Sequence, residues 1–452
     1  MKRSLAVLLV GPLTLAAIGF AEAREILIRA WTVGPDDPSI TRAQVLEAAG
    51  QRLNKILADV SSDIRVKVET EFNTEDWGSF KQRNLLALQS GDPDQIPDII
   101  CTGHEMIAPY AIAGFIRPLD DLIKKYWDMT YNDIIPSLWR SVKYKGKIWG
   151  IPQDTEARLF WYRKDVLRKM GWSEDNINAI PKKVIEGQFL LDDLAHLARE
   201  MHASGLVKWG IYHRPTPGTD WFQFIYTYGG ELQEPSTGRL VLDKEAVLKM
   251  LGFFDRLANT LKVVPRGMTN VPWASIHTAF TKGEVGIFLT GGIWHWGEWK
   301  TKYRLSEDYM WENIGWALIP AGSKGGRPVS VSHPLAYIIP AEAGNPRLGF
   351  LIVTLATSSD LNTRHAIQSA HLAIRDSQIA YRPYAESKVL VEFTKLLPYS
   401  RFSPNHPRTP FYWEAIHKGL SGVETGQLTP DRALEFIVNR LKGEIGDELI
   451  VR

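Results

Sequence analysis

Two glutamates, Glu105 and Glu156, are the side chains of this sequence with the clearest capacity for chemistry. A glycoside hydrolase needs two carboxyl groups that face each other across a cleft, one of them with a raised pKa. The same two side chains can instead accept hydrogen bonds from the hydroxyls of a bound sugar. The sequence does not give the distance between them, so both roles stay open at this point.

The signatures of other common enzyme classes are missing from the sequence. It contains no G-x-S-x-G nucleophile elbow, no G-x-x-x-x-G-K-[ST] phosphate loop and no G-x-G-x-x-G turn. His104 and Glu105 are not followed by the second histidine that an H-E-x-x-H zinc site requires, and no cluster has metal-ligand spacing. We therefore expect a binding protein that is not an enzyme and that uses neither a cofactor nor a metal.

Aromatic residues are abundant, with 16 Trp, 15 Tyr and 17 Phe. A buried Trp needs a partner for its ring N–H, so this surplus indicates a surface or cleft that uses flat rings. Sugars present apolar C–H faces to such rings. Two acids and several rings favour a neutral ligand rich in hydroxyls, whereas Arg158, His333 and Arg375 leave room for an acidic sugar or a sugar phosphate. A polyol, a glycerophosphodiester and an oligopeptide stay open as alternatives.

The N-terminus predicts export. Lys2 and Arg3 precede an apolar stretch over residues 5–20, and residues 21–23 have the small-x-small pattern of a signal-peptidase site. We expect a signal peptide over residues 1–23, cleaved near Ala23, and a periplasmic protein. The apolar stretch is shorter than the roughly 20 residues of a spanning helix, which argues against a retained anchor. The formal net charge of +2 argues against a nucleic-acid partner.

The elements that position these residues alternate between strands and helices. Strand patterns at 25–31, 64–72 and 97–101 are separated by helical patterns at 39–57 and 76–90, which predicts a βαβ domain with a largely parallel sheet. Further strand and helix patterns follow, and a chain of this length exceeds what one core usually fills. The sequence therefore predicts two α/β lobes.

Four groups of motifs occur in one order along the chain. They are IPDII at 96–100 with YAIAGFIRPLD at 110–120; GKIWGIP at 146–152 with YRKD at 162–165; AFTKGE at 279–284 leading to GIW at 292–294; and FYW at 411–413 with LTPDRAL at 428–434. In order and spacing they resemble the extracellular solute-binding proteins of carbohydrate ABC importers (family 1). The resemblance covers nearly the whole chain after residue 23.

The resemblance implies the two-lobed periplasmic-binding-protein fold of type II, with two mostly parallel sheets flanked by helices and a hinge between the lobes. It implies an N-terminal lobe of residues 24–154 plus 330–376 and a C-terminal lobe of residues 155–329 plus 377–452. It also implies a monomer that closes on a di- or oligosaccharide or related sugar. The closed form would then deliver the ligand to the membrane permease of an ABC importer and its ATPase.

The resemblance places ligand contacts on the first lobe after each strand. Asp36 and Asp37 match polar contacts, although they also suit a turn beside two prolines. Trp77 follows the second strand, a position that suits a lid, or else packs the helix that it starts. Thr102, His104 and Glu105 follow the third strand, where ligands of open α/β sheets bind; Glu105 matches an acidic contact of the family.

On the second lobe and the crossovers, the resemblance implies further contacts. Glu156 matches a pocket glutamate, and Trp294 matches a stacking ring that follows Gly292, whose missing side chain lets the backbone approach a ligand. Two aromatic pairs resemble those of the family, the first of them with core packing as its alternative. They are Trp221 with Phe222, and Tyr412 with Trp413. Three residues near crossovers are ligand contacts or hinge hydrogen bonders, namely Asp154, His333 and Arg375.

Overall fold

The computed structural model of the protein describes residues 23–34, 37–74 and 77–452. Residues 1–22 of the predicted signal peptide lie outside the described residues. The strands of the described residues are β1 Arg24–Val33, β2 Ile64–Asn73, β3 Ile99–Gly103, β4 Lys143–Tyr144, β5 Lys147–Ile148, β6 Ile151–Pro152, β7 Arg158–Arg163, β8 Trp209–Tyr212, β9 Leu240–Leu242, β10 Val285–Gly292, β11 Ile314–Ala317, β12 Ser330–Ser332, β13 Leu335–Ile338, β14 Ser400–Phe402 and β15 Leu449–Val451.

Helices alternate with these strands along much of the chain. In the same described ranges they are α1 Thr41–Asp59, α2 Trp77–Ser90, α3 Ile107–Ile112, α4 Asp120–Lys125, α5 Pro136–Ser141, α6 Lys164–Lys169, α7 Glu174–Asn178, α8 Ile180–Ile185, α9 Leu191–Ala203, α10 Phe222–Thr227, α11 Lys244–Asp255, α12 Trp273–Thr281, α13 His295–Thr301, α14 Glu307–Asn313, α15 Pro346–Ala356, α16 Ser359–Ser369, α17 Asp376–Ile379, α18 Arg382–Ala385, α19 Lys388–Thr394, α20 Thr409–Glu424 and α21 Pro430–Ile445. None of them is long and apolar enough to cross a membrane.

The first sheet has the strand order β2-β1-β3-β13-β6. The β1 strand pairs in parallel with β2 and β3, as the alternation of strand and helix patterns predicts. The β13 strand runs antiparallel to both β3 and β6. Buried side chains such as Ile28, Ile100 and Tyr337 form one continuous core with the apolar face of α1.

The second sheet has the order β11-β7-β10-β8. Only the β10–β8 pair is parallel, whereas β7 runs antiparallel to β10 and β11. In each of these two sheets, as the structure describes them, all strands but one therefore run in the same direction, so the sheets are mostly parallel as predicted; the exceptions are β13 and β7. The reason is that β13 and β7 enter their sheets after the chain has passed from the other sheet, and each arrives in the opposite direction. The two-lobed α/β class itself is confirmed.

A second core covers this sheet, and its densest part is a group of indole rings. Trp161, Trp296, Trp299, Trp311 and Trp316, which we name the tryptophan cluster, lie 4.8 to 6.4 Å apart by their closest ring centroids. Most of the contacts are edge-on, the geometry that aromatic quadrupoles favour. Much of the tryptophan surplus thus serves this core.

The chain passes between the sheets at the places where the cleft forms. It leaves the first sheet after β6 and enters the second at β7, and it returns between β12 and β13. Just before the first passage, β4 and β5 form a short antiparallel hairpin, and Ile151–Pro152 pairs with β13. The lobe boundaries at residues 154, 329 and 376 stay a prediction.

Candidate functional site

The candidate site lies where strands of both sheets end. The β3 strand ends at Gly103, and a short 3-10 helix, His104–Met106, follows it. The β10 strand ends at Gly292, two residues before Trp294. The β7 strand begins at Arg158, beside that end of β10. Loops at strand ends are where open α/β sheets place ligand contacts.

Glu105 is the centre of the first half of the site. Its side chain is buried, and its two carboxylate oxygens meet different nitrogen atoms, Lys81 Nζ at 2.7 Å and His333 Nε2 at 2.6 Å. Burial alone would raise the pKa of Glu105, but the charges of His333 and Lys81 lower it well below its usual value. Glu105 is therefore a fixed anionic acceptor in the cleft.

Gly103 makes this arrangement possible. A Cβ atom at this position would lie 2.2 Å from Glu105 Oε2 and 2.8 Å from His333 Cε1, and both distances are shorter than real contacts. The backbone of Gly103 is extended, with φ −61°. The glycine is thus required for space rather than for an unusual conformation.

Two indole rings border this half of the site. The ring of Trp77 lies edge-on to His333 with centroids 6.0 Å apart, and Trp413 lies edge-on to the same ring at 6.3 Å. Lys81 Nζ lies 5.7 Å from the Trp77 ring centroid and 5.4 Å from that of Trp413. Trp77 and Trp413 belong to α2 and α20, so the rings come from opposite sides of the cleft.

His104 joins the two sides by its ring nitrogens. Nδ1 lies 3.2 Å from the Pro334 carbonyl oxygen, and Nε2 lies 3.0 Å from that of Ser403. Burial, assisted by the nearby His333, lowers the pKa of His104 to about 4. The ring is therefore neutral at pH 7 and donates to one of the two carbonyls.

The second half of the site is a chain of alternating charges. Arg158 contacts Glu156, and its Nε lies 3.2 Å from Asp220 Oδ1. Asp220 Oδ2 in turn lies 2.6 Å from Arg214 Nη1. The backbone N–H of His333 donates to Glu156 Oε1 at 2.9 Å, which connects this chain to the first half.

Burial has different outcomes for the two acids of this chain. It raises the pKa of Glu156, and the charge of Arg158 opposes the rise only in part. For Asp220 the charges of Arg158 and Arg214 outweigh burial, so its pKa is lowered. The two acids thus differ in the ease with which they take up a proton.

Trp294 forms the aromatic wall of this half. The Arg158 guanidinium lies 5.0 Å from its ring centroid, a cation–π contact. The His371 ring is stacked on it at 6.0 Å with an interplanar angle of 10°. A Cβ atom on Gly292 would lie 1.7 Å from the Trp294 ring, so only glycine fits beneath the indole.

Asp154 lies behind this wall, where segments from several crossovers meet. Its Oδ2 lies 2.6 Å from Arg42 Nη2, and its Oδ1 accepts from the Leu335 N–H at 2.9 Å. His365 and His371 approach the same carboxylate at 3.5 and 3.8 Å. Asp154 is fully buried, and its hydrogen bonds connect these segments; its predicted hinge role stays a prediction.

Several predicted residues lie outside this arrangement. Tyr412 is buried and donates to the Val241 carbonyl, and Trp221 is buried and donates to the Thr216 carbonyl, so both pack the second core. Arg375 pairs with Asp133 at 2.6 Å and donates to the Thr357 carbonyl, away from the cleft residues.

The remaining predicted residues have intermediate positions. The Phe222 ring packs edge-on against Tyr412, and its centroid lies 6.5 Å from that of Trp413. Phe222 therefore packs behind the Trp413 ring of the cleft. Thr102 is buried, and its Oγ1 has no hydrogen-bond partner among the described residues. Asp37 is exposed at the start of a 3-10 helix, Asp37–Ile40, and Asp36 lies outside the described residues.

The sequence reasoning missed four charged residues of the cleft or gave them no role there. Lys81 stands four residues after Trp77 on α2, a spacing that places both on one helix face and that could have revealed it. In the sequence, Arg158 indicates only that an acidic ligand is an alternative, and its ion pairs with Glu156 and Asp220 are not foreseen. Arg214 follows the end of β8, and Asp220 precedes Trp221; position after a strand was the available signal for Arg214.

Among the residues that the structure describes, three groups of side chains bring ligand atoms close enough for a metal ion. They are His104, Glu105 and His333; Asp154, His365 and His371; and His277, His295 and Glu298. In the first, both nitrogens of His104 face carbonyl oxygens. In the second, Arg42 already neutralises Asp154. In the third, Trp299 donates to His277 Nδ1, whereas a metal-bound histidine donates from its second nitrogen. These contacts favour hydrogen-bonded clusters over metal sites.

Comparison with known proteins gives a consistent result. A model of the bacterial extracellular solute-binding protein family matches residues 55–362. A putative binding protein of Brucella abortus is 20% identical over 379 residues, which cover 81% of this chain and 84% of the relative.

Solved structures of similar fold include two sugar-binding proteins. The GacH receptor of Streptomyces glaucescens, solved unliganded and with acarbose, has a TM-score of 0.74 at 18% identity and covers 93% of this chain and 98% of its own. The maltose-bound MalE3 of T. maritima has a TM-score of 0.72 at 20% identity and covers 92% of this chain and 99% of its own. The fold predicted from the motifs is confirmed.

Proposed function

Because this chain belongs to the bacterial extracellular solute-binding protein family, we propose that it is the carbohydrate-binding component of an ABC importer. The observation that supports the proposal is the composition of the cleft. Glu105 and Lys81 come from the side of the first sheet, and Trp294 and Asp220 from the side of the second. His333, on a crossover, contacts acids of both halves.

The chemistry of the cleft favours a neutral, hydroxyl-rich ligand. Three acids and three permanent cations alternate in it, so their charges balance; they are Glu105, Glu156 and Asp220 with Lys81, Arg158 and Arg214. Each carboxylate can accept from a sugar hydroxyl and each cation can donate to one, with charge-assisted strength. Trp77, Trp294 and Trp413 supply flat surfaces for the sugar C–H faces. Maltose and acarbose complexes of proteins with this fold agree with a di- or oligosaccharide.

The proposed mechanism is closure around the ligand. Only an arrangement in which both lobes touch the sugar gains all of these contacts, so binding shifts the open–closed equilibrium toward the closed form. The closed form then delivers the sugar to the membrane permease, which an ATPase drives. In this proposal the protein is exported to the periplasm, works as a monomer and catalyses no reaction. A sugar phosphate, polyol or glycerophosphodiester is the alternative ligand.

One observation favours a second candidate function, glycoside hydrolysis. The pKa of Glu105 is lowered and that of Glu156 is raised, which is the pattern of a carboxylate and a general acid. Both acids contact His333, one through its ring and one through its backbone N–H. The test of function must therefore distinguish binding from cleavage.

The experiment is a thermal-shift screen against mono- and oligosaccharides, polyols and sugar phosphates, with each mixture analysed afterwards for breakdown products. A ligand at 100 times its Kd stabilises the native state by about 2.7 kcal/mol. A shift with the sugar recovered intact supports the binding protein. A shift with cleaved sugar supports the hydrolase, and the absence of any shift with carbohydrates contradicts the carbohydrate proposal.

Matched variants connect the result to the cleft. Trp294→Ala and Glu105→Gln remove a ring and a charge at the proposed ligand. Trp127→Ala is the control, since Trp127 is 39% exposed and is not among the cleft residues. We expect the ligand-induced shift to shrink in the first two variants and to persist in the third.

A further inference from the structure

A second cavity, separate from the residues of the sugar cleft, lies between parts of both cores. Its volume is about 890 Å³, within the range of small-molecule sites. One wall is the end of α5 with the β4–β5 hairpin. The opposite wall is the segment of residues 400–408 together with Tyr226 and the loop before β9.

The charges on these walls are unequal. Five exposed cations line the cavity against two acids; the cations are Arg140, Lys143, Lys145, Arg401 and Arg408 and the acids are Glu231 and Glu448. Arg401 pairs with Glu231 at 2.9 Å, and Glu448 lies 3.4 Å from the buried His406. Within the part of the chain that the structure describes, the other four cations have no ion-pair partner.

The remaining lining of the cavity includes aromatic side chains, which can contact a small ligand. Tyr144, Tyr226 and Phe402 provide aromatic surface beneath the cations. Lys145 Nζ lies 5.6 Å from the Tyr144 ring centroid, and the Arg401 guanidinium lies 4.4 Å from that of Tyr226. These contacts hold long side chains along the walls, which reduces the entropy that they lose on binding a ligand.

We propose that this cavity binds a small anion, a phosphate or carboxylate compound, between Arg140 and Lys143 on one wall and Arg408 on the other. Cations without partners in a concave site attract and hold such groups, and guanidinium groups match both phosphate and carboxylate geometry. The site is distinct from the sugar cleft, so it does not depend on the proposed function.

The segment that forms one wall also contacts the first half of the cleft. The Ser403 carbonyl faces His104 Nε2 at 3.0 Å. Asn405 accepts from the Ala108 N–H at 3.1 Å and donates to the carbonyl of Ser141 at 3.3 Å. The segment of residues 400–408 is therefore shared between one wall of this cavity and the first half of the cleft.

Titration calorimetry of the whole protein tests the site, with inorganic phosphate and citrate as probes and sodium chloride at equal ionic strength as the salt control. The double variant Arg140→Ala/Arg408→Ala removes one cation from each wall. Lys124→Ala/Lys169→Ala removes the same charge from exposed positions outside the cavity lining. We expect saturable binding of at least one probe to wild type and to the control, and at least tenfold weaker binding to Arg140→Ala/Arg408→Ala.

Tighter binding of phosphate or of citrate identifies which class of anion the site binds, and either result supports the proposal. Equal heats for chloride and the probes, or unchanged binding in Arg140→Ala/Arg408→Ala, overturn the proposal. Circular dichroism of each variant confirms that it is folded. A sugar-induced thermal shift that survives in the same variant leaves the proposed function intact, so the two failures are distinguishable.

Discussion

Replacement of Asp154 by alanine is predicted to destabilise the protein strongly. The Arg42 and Asp154 side chains are 0% and 1% exposed, and their charged atoms lie 2.6 Å apart. Without the carboxylate, the buried Arg42 guanidinium loses this ion pair, and the Leu335 N–H loses its acceptor. Breaking a buried ion pair on one side costs about 3–5 kcal/mol.

That cost converts into a large change of melting temperature. In a lobe of 150–250 residues, 1 kcal/mol shifts Tm by about 2–4 °C. The expected decrease in Tm for Asp154→Ala is therefore roughly 6–20 °C. The underlying loss of about 3–5 kcal/mol is a large part of the free energy of unfolding, which is about 5–15 kcal/mol for a typical protein. Calorimetry and urea unfolding measure it.

The matched control is Glu386→Ala, which breaks the ion pair with Arg382. The side chains of that pair are 86% and 61% exposed, and such pairs contribute at most about 1 kcal/mol. We expect its Tm to stay within about 4 °C of wild type. If Asp154→Ala melts within the same margin as Glu386→Ala, the reasoning that a buried carboxylate holds the crossovers together is wrong.

Three further predictions concern the cleft and the buried histidines. Gly103→Ala inserts a Cβ 2.2 Å from Glu105 Oε2, so ligand affinity falls at least tenfold, as titration calorimetry would show; unchanged affinity contradicts the packing argument. Trp294→Ala removes a stacking ring that contributes about 1.4 kcal/mol or more to binding, so Kd should rise about tenfold. An unchanged Kd would contradict the stacking role. Burial lowers the pKa of His104 and of His365 to about 4, so the unfolded chain binds more protons below pH 6.5 and the free energy of unfolding falls as pH drops from 6.5 to 4. Urea unfolding at pH 7, 5.5 and 4.5 checks the slope, and a constant value contradicts it.

The sequence predicted the elements better than it predicted their directions. The bounds of β1 and α1 lie within two residues of the structure because hydrophobic periodicity marks the buried face of each element. The direction of β7 and β13 depends on which lobe the chain has just left, and local patterns carry no such information. Local patterns also do not predict that Ile151–Pro152 pairs with β13, because the two strands are far apart in the sequence.

The grouping of residues in the candidate site was predictable where it depends on position at the end of a strand. Glu105 and Trp294 follow strand ends, and the structure places both in the cleft. Ring type alone was less informative, because Trp221 and Tyr412 find their polar partners in the second core. Lys81 was missed since a lysine on a helix usually faces solvent; only its contact with Glu105, across a fold that the sequence does not display, gives it a role.

The tryptophan cluster has a consequence for spectroscopy. Indoles whose centroids lie 4.8 to 6.4 Å apart exchange excitation energy, so Trp161, Trp296 and their neighbours emit as one group from the second core. Cleft rings such as Trp77 and Trp413 belong to no such group, and a ligand changes their surroundings directly. Intrinsic fluorescence of this protein therefore combines a constant internal reference from the second core with a signal from the cleft, and replacing Trp77, Trp294 and Trp413 by phenylalanine would remove the cleft signal.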